Sequence, residues 1–142
     1  MATPKTYAFV WAEFPDDMVD DGEDILVPGG RNVVECLCAA IREMGYETEA
    51  FWQKDDYGWE AAFICNGIPI WLLLQGGPER WILIVDRGMS LFAGRARKAG
   101  ALREGLSVIN AAMESEPRIK KVQWMTRDEF DAVVSAFLSG NL

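Results

Sequence analysis

The sequence predicts an α+β fold: a single, mostly antiparallel sheet built around a four-stranded meander and packed against helices, in one domain of residues 1–142. Three observations carry that expectation. Asn66-Gly67 stands between two apolar runs, and this dipeptide marks a two-residue hairpin because both central positions need positive φ. Val33, Val34, Leu37, Cys38, Ile41 and Met44 form one apolar stripe at helical spacing. Thr126 and Glu129 have the spacing of a capping box, just ahead of Phe130, Val133, Val134, Phe137 and Leu138.

Residues 7–14, Tyr-Ala-Phe-Val-Trp-Ala-Glu-Phe, read as the opening strand. Residues 15–30 read as an acidic, flexible loop carrying Asp16, Asp17, Asp20, Asp21, Glu23 and Asp24. A helix follows to about Met44, with Asn32 as its N-cap and Gly45 as its stop. Strands are expected near 46–53, 59–65, 68–74 and 80–86, with turns at Asp55–Gly58 and Gly76–Glu79. Ala99 to Glu114 reads as a helix with Leu102, Leu106, Ile109 and Met113 on one face, weakened slightly by Gly105. Pro117 ends that segment, Ile119–Trp124 makes a short strand, and the capping box starts the last helix.

The hairpin signal also sets a register. With Asn66-Gly67 as the loop, Cys65 faces Ile68, Phe63 faces Ile70, Ala61 faces Leu72 and Trp59 faces Leu74, all apolar and all on one side of the sheet. Helices must cover that side. The other side pairs Ile64 with Pro69, Ala62 with Trp71 and Glu60 with Leu73. If the next turn keeps Gln75 opposite Arg80, Ile82 and Ile84 join Trp71 and Leu73 there. A water-facing side would alternate with polar residues. This one calls for a cover: the last helix, a second copy of the chain in a homodimer, or another partner.

Composition narrows the chemistry. The chain has no histidine, the usual general base and metal ligand near neutral pH, so no Ser-His-Asp or Cys-His pair can form. Its net charge of −8 disfavours nucleic acid and anionic lipid and favours a basic protein partner. Cys36, Cys38 and Cys65 are an odd set without a secretion signal, read as reduced thiols, and Cys36 and Cys38 point to different sides of one helix. No metal and no cofactor are expected. The longest apolar run, Ile68 to Leu74, is too short to span a bilayer, so a soluble, cytoplasmic protein is expected.

Several segments invite a functional reading. Val27-Pro28-Gly29-Gly30-Arg31 precedes a helix but lacks the spacing of a phosphate-binding loop; Arg31 remains a candidate carboxylate ligand. The acidic run Asp16–Asp24 lacks EF-hand spacing. Asp55, Asp56 and Tyr57 gather carboxylates and an aromatic at one turn. Tryptophans at 52, 59, 71 and 81 fall one on each central strand, as core or interface groups. Arg87, Arg95, Arg97 and Lys98 form the basic concentration, a possible mate for the acidic loop of a neighbouring subunit. The candidate binding residues are therefore Arg31, Asp55, Asp56, Tyr57, Trp71, Leu73, Ile82 and Ile84, with no catalytic residue among them.

Pro28-Gly29-Gly30-Arg31-Asn32, then Gly45-Tyr46, then Asp56-Tyr57-Gly58-Trp59 resembles a pattern in small, uncharacterised bacterial proteins, over residues 28–86. Small size, acidity and the order of helix and meander also resemble immunity proteins and secretion chaperones. That resemblance implies a non-enzymatic protein-binding role, capping or neutralising another protein. The alternative is a small-ligand binder or enzyme with its pocket between the sheet and the 15–30 loop, using Arg31, Asp55, Asp56 and Tyr57.

Overall fold

A computed structural model describes residues 3–88 and 93–140. The strands are β1 (Tyr7–Ala12), β2 (Val19–Asp20), β3 (Ile25–Val27), β4 (Trp52–Lys54), β5 (Gly58–Cys65), β6 (Ile68–Gly76), β7 (Arg80–Arg87) and β8 (Ile119–Met125). The helices are α1 (Arg31–Glu43), α2 (Arg95–Glu114) and α3 (Arg127–Leu138). Six strands make one sheet in the order β4-β5-β6-β7-β1-β8, antiparallel throughout, and β2 and β3 pair as a separate ribbon. This is an α+β fold with helices packed on the sheet.

The Asn66-Gly67 hairpin has the anticipated register, from Cys65 opposite Ile68 to Trp59 opposite Leu74. Both turn residues take positive φ, 51° and 75°. The next turn sits one residue further along than expected: Gly76 faces Trp81, so Gln75 faces Ile82, not Arg80. The slip is two residues, an even number, so every side chain keeps its predicted face. The expected strand at 46–53 shrinks to β4. Upstream, Glu47 and Glu49 still hydrogen-bond Ile64 and Ala62 at 2.9 Å each, so the outer edge of β5 stays paired without a regular strand.

The inner face is sealed. Val33, Val34, Leu37 and Ile41 of α1 and Ala101, Val108, Ile109 and Met113 of α2 bury against Phe63, Ile70, Leu72, Leu74, Leu83 and Val85. Gly105, which costs α2 some intrinsic stability, lets the helix lie close: a Cβ there would stand 2.9 Å from Ile70. Trp81 fills the end of this core at 3 % exposure. Gly30 (φ 106°) and Gly77 (φ 87°) both face its indole, and a Cβ on either would run into the ring. The two glycine doublets of the sequence thus make room for one tryptophan.

The start of α1 differs from expectation. Its N-cap is Gly30, which has no capping side chain, and Asn32 lies inside the helix. The free N–H groups are met from outside: Asp17 Oδ1 accepts from Gly30 and Oδ2 from Asn32, both at 2.8 Å. The 15–30 segment is also more than a loop, since it holds the β2–β3 ribbon. Asp20 accepts from Gly22, and Asp21 accepts from both Glu23 and Asp24, so carboxylates and Gly22 (φ 92°) shape its tip.

On the outer face, α3 covers only one end. Phe130 stacks on Tyr7 at 4.8 Å and leans on Phe9 at 5.7 Å. The capping box is present, with Glu129 N–H donating to Thr126 Oγ1 and Thr126 N–H to Glu129 Oε1. No residue of α3 is buried, and Phe137 and Leu138 stand exposed. Among the described residues, no helix is long and apolar enough to cross a membrane.

Candidate functional site

The ribbon presents apolar side chains to water. Met18, Val19, Ile25 and Leu26 are 42, 49, 41 and 53 % exposed, within a stretch otherwise made of carboxylates and Gly22. Its place is set by Gln53, whose Nε2 donates to the Leu26 carbonyl at 3.0 Å and to the Asp55 carbonyl at 2.7 Å. One side chain thus ties the ribbon to the β4–β5 turn. From the inside, Trp59 Nε1 holds the Pro28 carbonyl at 2.9 Å. Between ribbon and turn lies a groove of about 470 Å³ lined by Met18, Ile25, Pro28, Asp56, Tyr57 and Ile82, among others. Among the described residues, no basic side chain lines it.

Exposed carboxylates of Asp16, Asp20, Asp21, Glu23, Asp24, Asp55 and Asp56 belong to the ribbon and the turn. The Asp21 carboxyl is held below its usual range by the N–H groups of Asp24 and Glu23, which favour its charged form. The region therefore pairs exposed apolar groups with negative charge.

The candidate residues do not form one site. Asp56, Tyr57 and Ile82 line the ribbon groove, whereas Arg31 and Asp55 do not. Arg31 lies 5.9 Å from the Trp59 ring centroid and 6.0 Å from that of Phe51, a cation over two aromatic faces. Asp55 contributes its carbonyl to Gln53 and takes a positive φ of 48°. Trp71, Leu73 and Ile84 line a second groove of about 390 Å³ with Glu60, Asp86 and Arg87. There Trp52 packs edge-on against Trp71 at 5.9 Å and donates from Nε1 to Glu60 at 2.9 Å. The predicted outer stripe is thus divided, Ile82 going to one groove and the rest to the other.

Met18, Val19, Ile25, Leu26 and Gln53 escaped the reading of the sequence. The signal was present in the apolar pairs that flank Asp20–Asp24, but net acidity masked it. Of the basic concentration, Arg97 donates from Nε to the Asn66 carbonyl at 3.2 Å, and residues 89–92 lie outside the described residues.

The thiols offer no ready nucleophile. Burial, then the Glu116 carboxylate that accepts from its Sγ at 3.1 Å, push Cys36 up to about 11. Burial likewise pushes Cys38 to about 11, and burial with Glu104 pushes Cys65 to about 12. Among the described residues, no group of three or more Cys, Asp and Glu is placed to hold a metal ion. No protein-family model matches the chain, and no curated protein matches it.

Proposed function

We propose that this is a non-enzymatic protein-binding protein that docks a partner on the β2–β3 ribbon and the adjoining Asp55–Tyr57 turn. One observation carries the reading: four large apolar side chains and Tyr57 are each more than 40 % exposed beside a groove, amid carboxylates and without a lining cation. The complementary partner has an apolar knob ringed by Lys and Arg. Charge steers such an encounter and apolar anchors hold it. Capping or neutralising a basic protein, in the manner of an immunity protein or a secretion chaperone, is the concrete form. The excess of carboxylates works against nucleic acid and anionic membranes as the target.

A second reading is a small ligand in the same groove, against Met18, Ile25, Tyr57 and Ile82. One experiment separates the two. Wild type and a Val19→Asp, Leu26→Asp variant with unchanged circular dichroism are used as bait in native extract, and the captured protein is then purified. A protein held by wild type, lost from the variant and bound more slowly as salt rises supports docking. Identical retention by both baits rejects it, and a small molecule released from wild type alone favours the ligand.

A further inference from the structure

A cavity of about 690 Å³ lies between the N-terminal segment, α2 and β8, larger than either groove above. Its α2 wall is one stripe, Ala99, Leu102, Arg103 and Leu106, at spacings that put these residues on one helix face. Sequence periodicity places Leu102 and Leu106 with Ile109 and Met113 in a single core stripe. In the structure Ile109 and Met113 are fully buried, while Leu102 and Leu106 stay half-buried and line the cavity. The opposite wall includes Trp124, whose ring is fixed: Nε1 donates to Asn110 Oδ1 at 2.9 Å, and Asn110 Nδ2 donates to Glu114 at 3.1 Å. A rigid aromatic wall needs little ordering when a ligand arrives.

The charged groups are all of one sign. Among the described residues, Lys5 and Arg103 line the cavity and no carboxylate does, in a chain of net charge −8. Among the described residues, neither cation forms an ion pair. Glu129 feels the charge of Lys5 only weakly, and its carboxylate is engaged by Thr126. An apolar space of this volume with a few convergent polar groups suits a small organic molecule. Two unpaired cations, one a guanidinium fork, suit a carboxylate at one end of it.

We propose that this cavity binds a medium-chain alkyl carboxylate, its tail against Leu102, Leu106 and Trp124 and its carboxylate between Lys5 and Arg103. The site is independent of the ribbon. The test uses decanoate below its micellar concentration, with decanol as the uncharged match, followed by titration calorimetry and by the indole N–H resonance of Trp124, assigned with Trp124→Phe. Decanoate binds one-to-one in the range of about 1–100 μM, decanol about tenfold or more weaker, and the Trp124 resonance shifts with saturation. Lys5→Gln with Arg103→Gln, two surface changes, weakens decanoate about tenfold and leaves decanol unchanged. Leu106→Asn weakens both. Absence of saturable decanoate binding, equal affinity for decanol, an unmoved Trp124 resonance, or indifference to loss of both cations would each overturn the assignment.

Discussion

Trp81 and Trp71 sit on neighbouring strands of one sheet and meet opposite fates. Trp81 points to the inner face and is 3 % exposed, with Gly30 and Gly77 clearing space for its ring. Trp71 points to the outer face and is 41 % exposed, with Trp52 at its edge and a groove beside it. The residues opposite them in register already differ, Gly76 for Trp81 and Asp86 for Trp71. An aromatic on an apolar face is therefore core only where helices close over it. α1 and α2 close the inner face, and α3 closes the outer one only near β1.

The largest effect that separates the two is truncation. Trp81→Ala is expected to cost about 3–5 kcal/mol, because a cavity replaces a buried ring that Gly29, Gly30 and Gly77 close around. Trp71→Ala should cost about 1 kcal/mol, since much of that ring is already in water. Urea unfolding of both variants gives the difference. Equal costs would show that the outer face closes a second core. A fall in sedimentation mass on Trp71→Ala would instead make it the seam of a homodimer.

Backbone space gives the next largest effect. Gly77→Ala sets a Cβ against the Trp81 indole at positive φ, and is expected to cost about 2–4 kcal/mol. Gly94→Ala, at φ −72° with nothing within 4 Å among the described residues, should stay within about 0.5 kcal/mol. Thermal melts of the two variants compare them directly. If Gly77→Ala melts with wild type, the glycines do not position Trp81.

Much of this contrast was legible in the sequence, and the remainder was not for definite reasons. Asn66-Gly67 set the register of β5 and β6 because a two-residue loop leaves no freedom. Which residues share a face then followed from a period of two, and survived a wrong turn at residues 76–79 because the slip was even. Whether a face is covered is a different question. It depends on where α3 lands, a contact of Phe130 with Tyr7 and Phe9 across more than a hundred residues of chain that no local pattern encodes. The same limit applies at the sites. Asp56 and Tyr57 were legible as turn residues, but their meeting with Met18 and Ile25 rests on Gln53 reaching two carbonyls. The charge of Arg31 was legible, but not the Phe51 and Trp59 rings beside it.

The acidic segment divides along the same line, and its expected effects are smaller. Asp17 belongs to the inner face in energetic terms, because its carboxylate caps the helix that seals that face. Asp17→Ala should cost about 1 kcal/mol. Asp20→Ala, which releases only an exposed turn N–H, should cost no more than about 0.5 kcal/mol. Chemical denaturation measures both. Any neutralised ribbon variant made to test partner steering must keep Asp17, or a weakened helix will pass for lost electrostatics. If Asp20→Ala destabilises as much as Asp17→Ala, the ribbon is a structural element and not a free surface.

The smallest effect concerns acid, and it too should act through the sealed side. Arg118 and Cys36 both donate to Glu116, tying α1 to the turn before β8, while the Arg118 guanidinium lies 4.1 Å over the Phe14 ring. The Arg118 hydrogen bond, with the Cys36 thiol second, holds the Glu116 carboxyl down to about 2, from an ordinary value of 4.5. A carboxyl depressed by folding stabilises the fold fully above its unfolded value. That contribution is lost as pH falls through the folded value. Wild type should therefore be more stable than Glu116→Gln above about pH 4.5, and the gap should close between there and about pH 2. Melting temperatures of the pair across that window provide the measurement. A gap that persists unchanged at pH 2 would mean that Glu116 acts through packing alone, and that the polar seal over Phe14 does not depend on its charge.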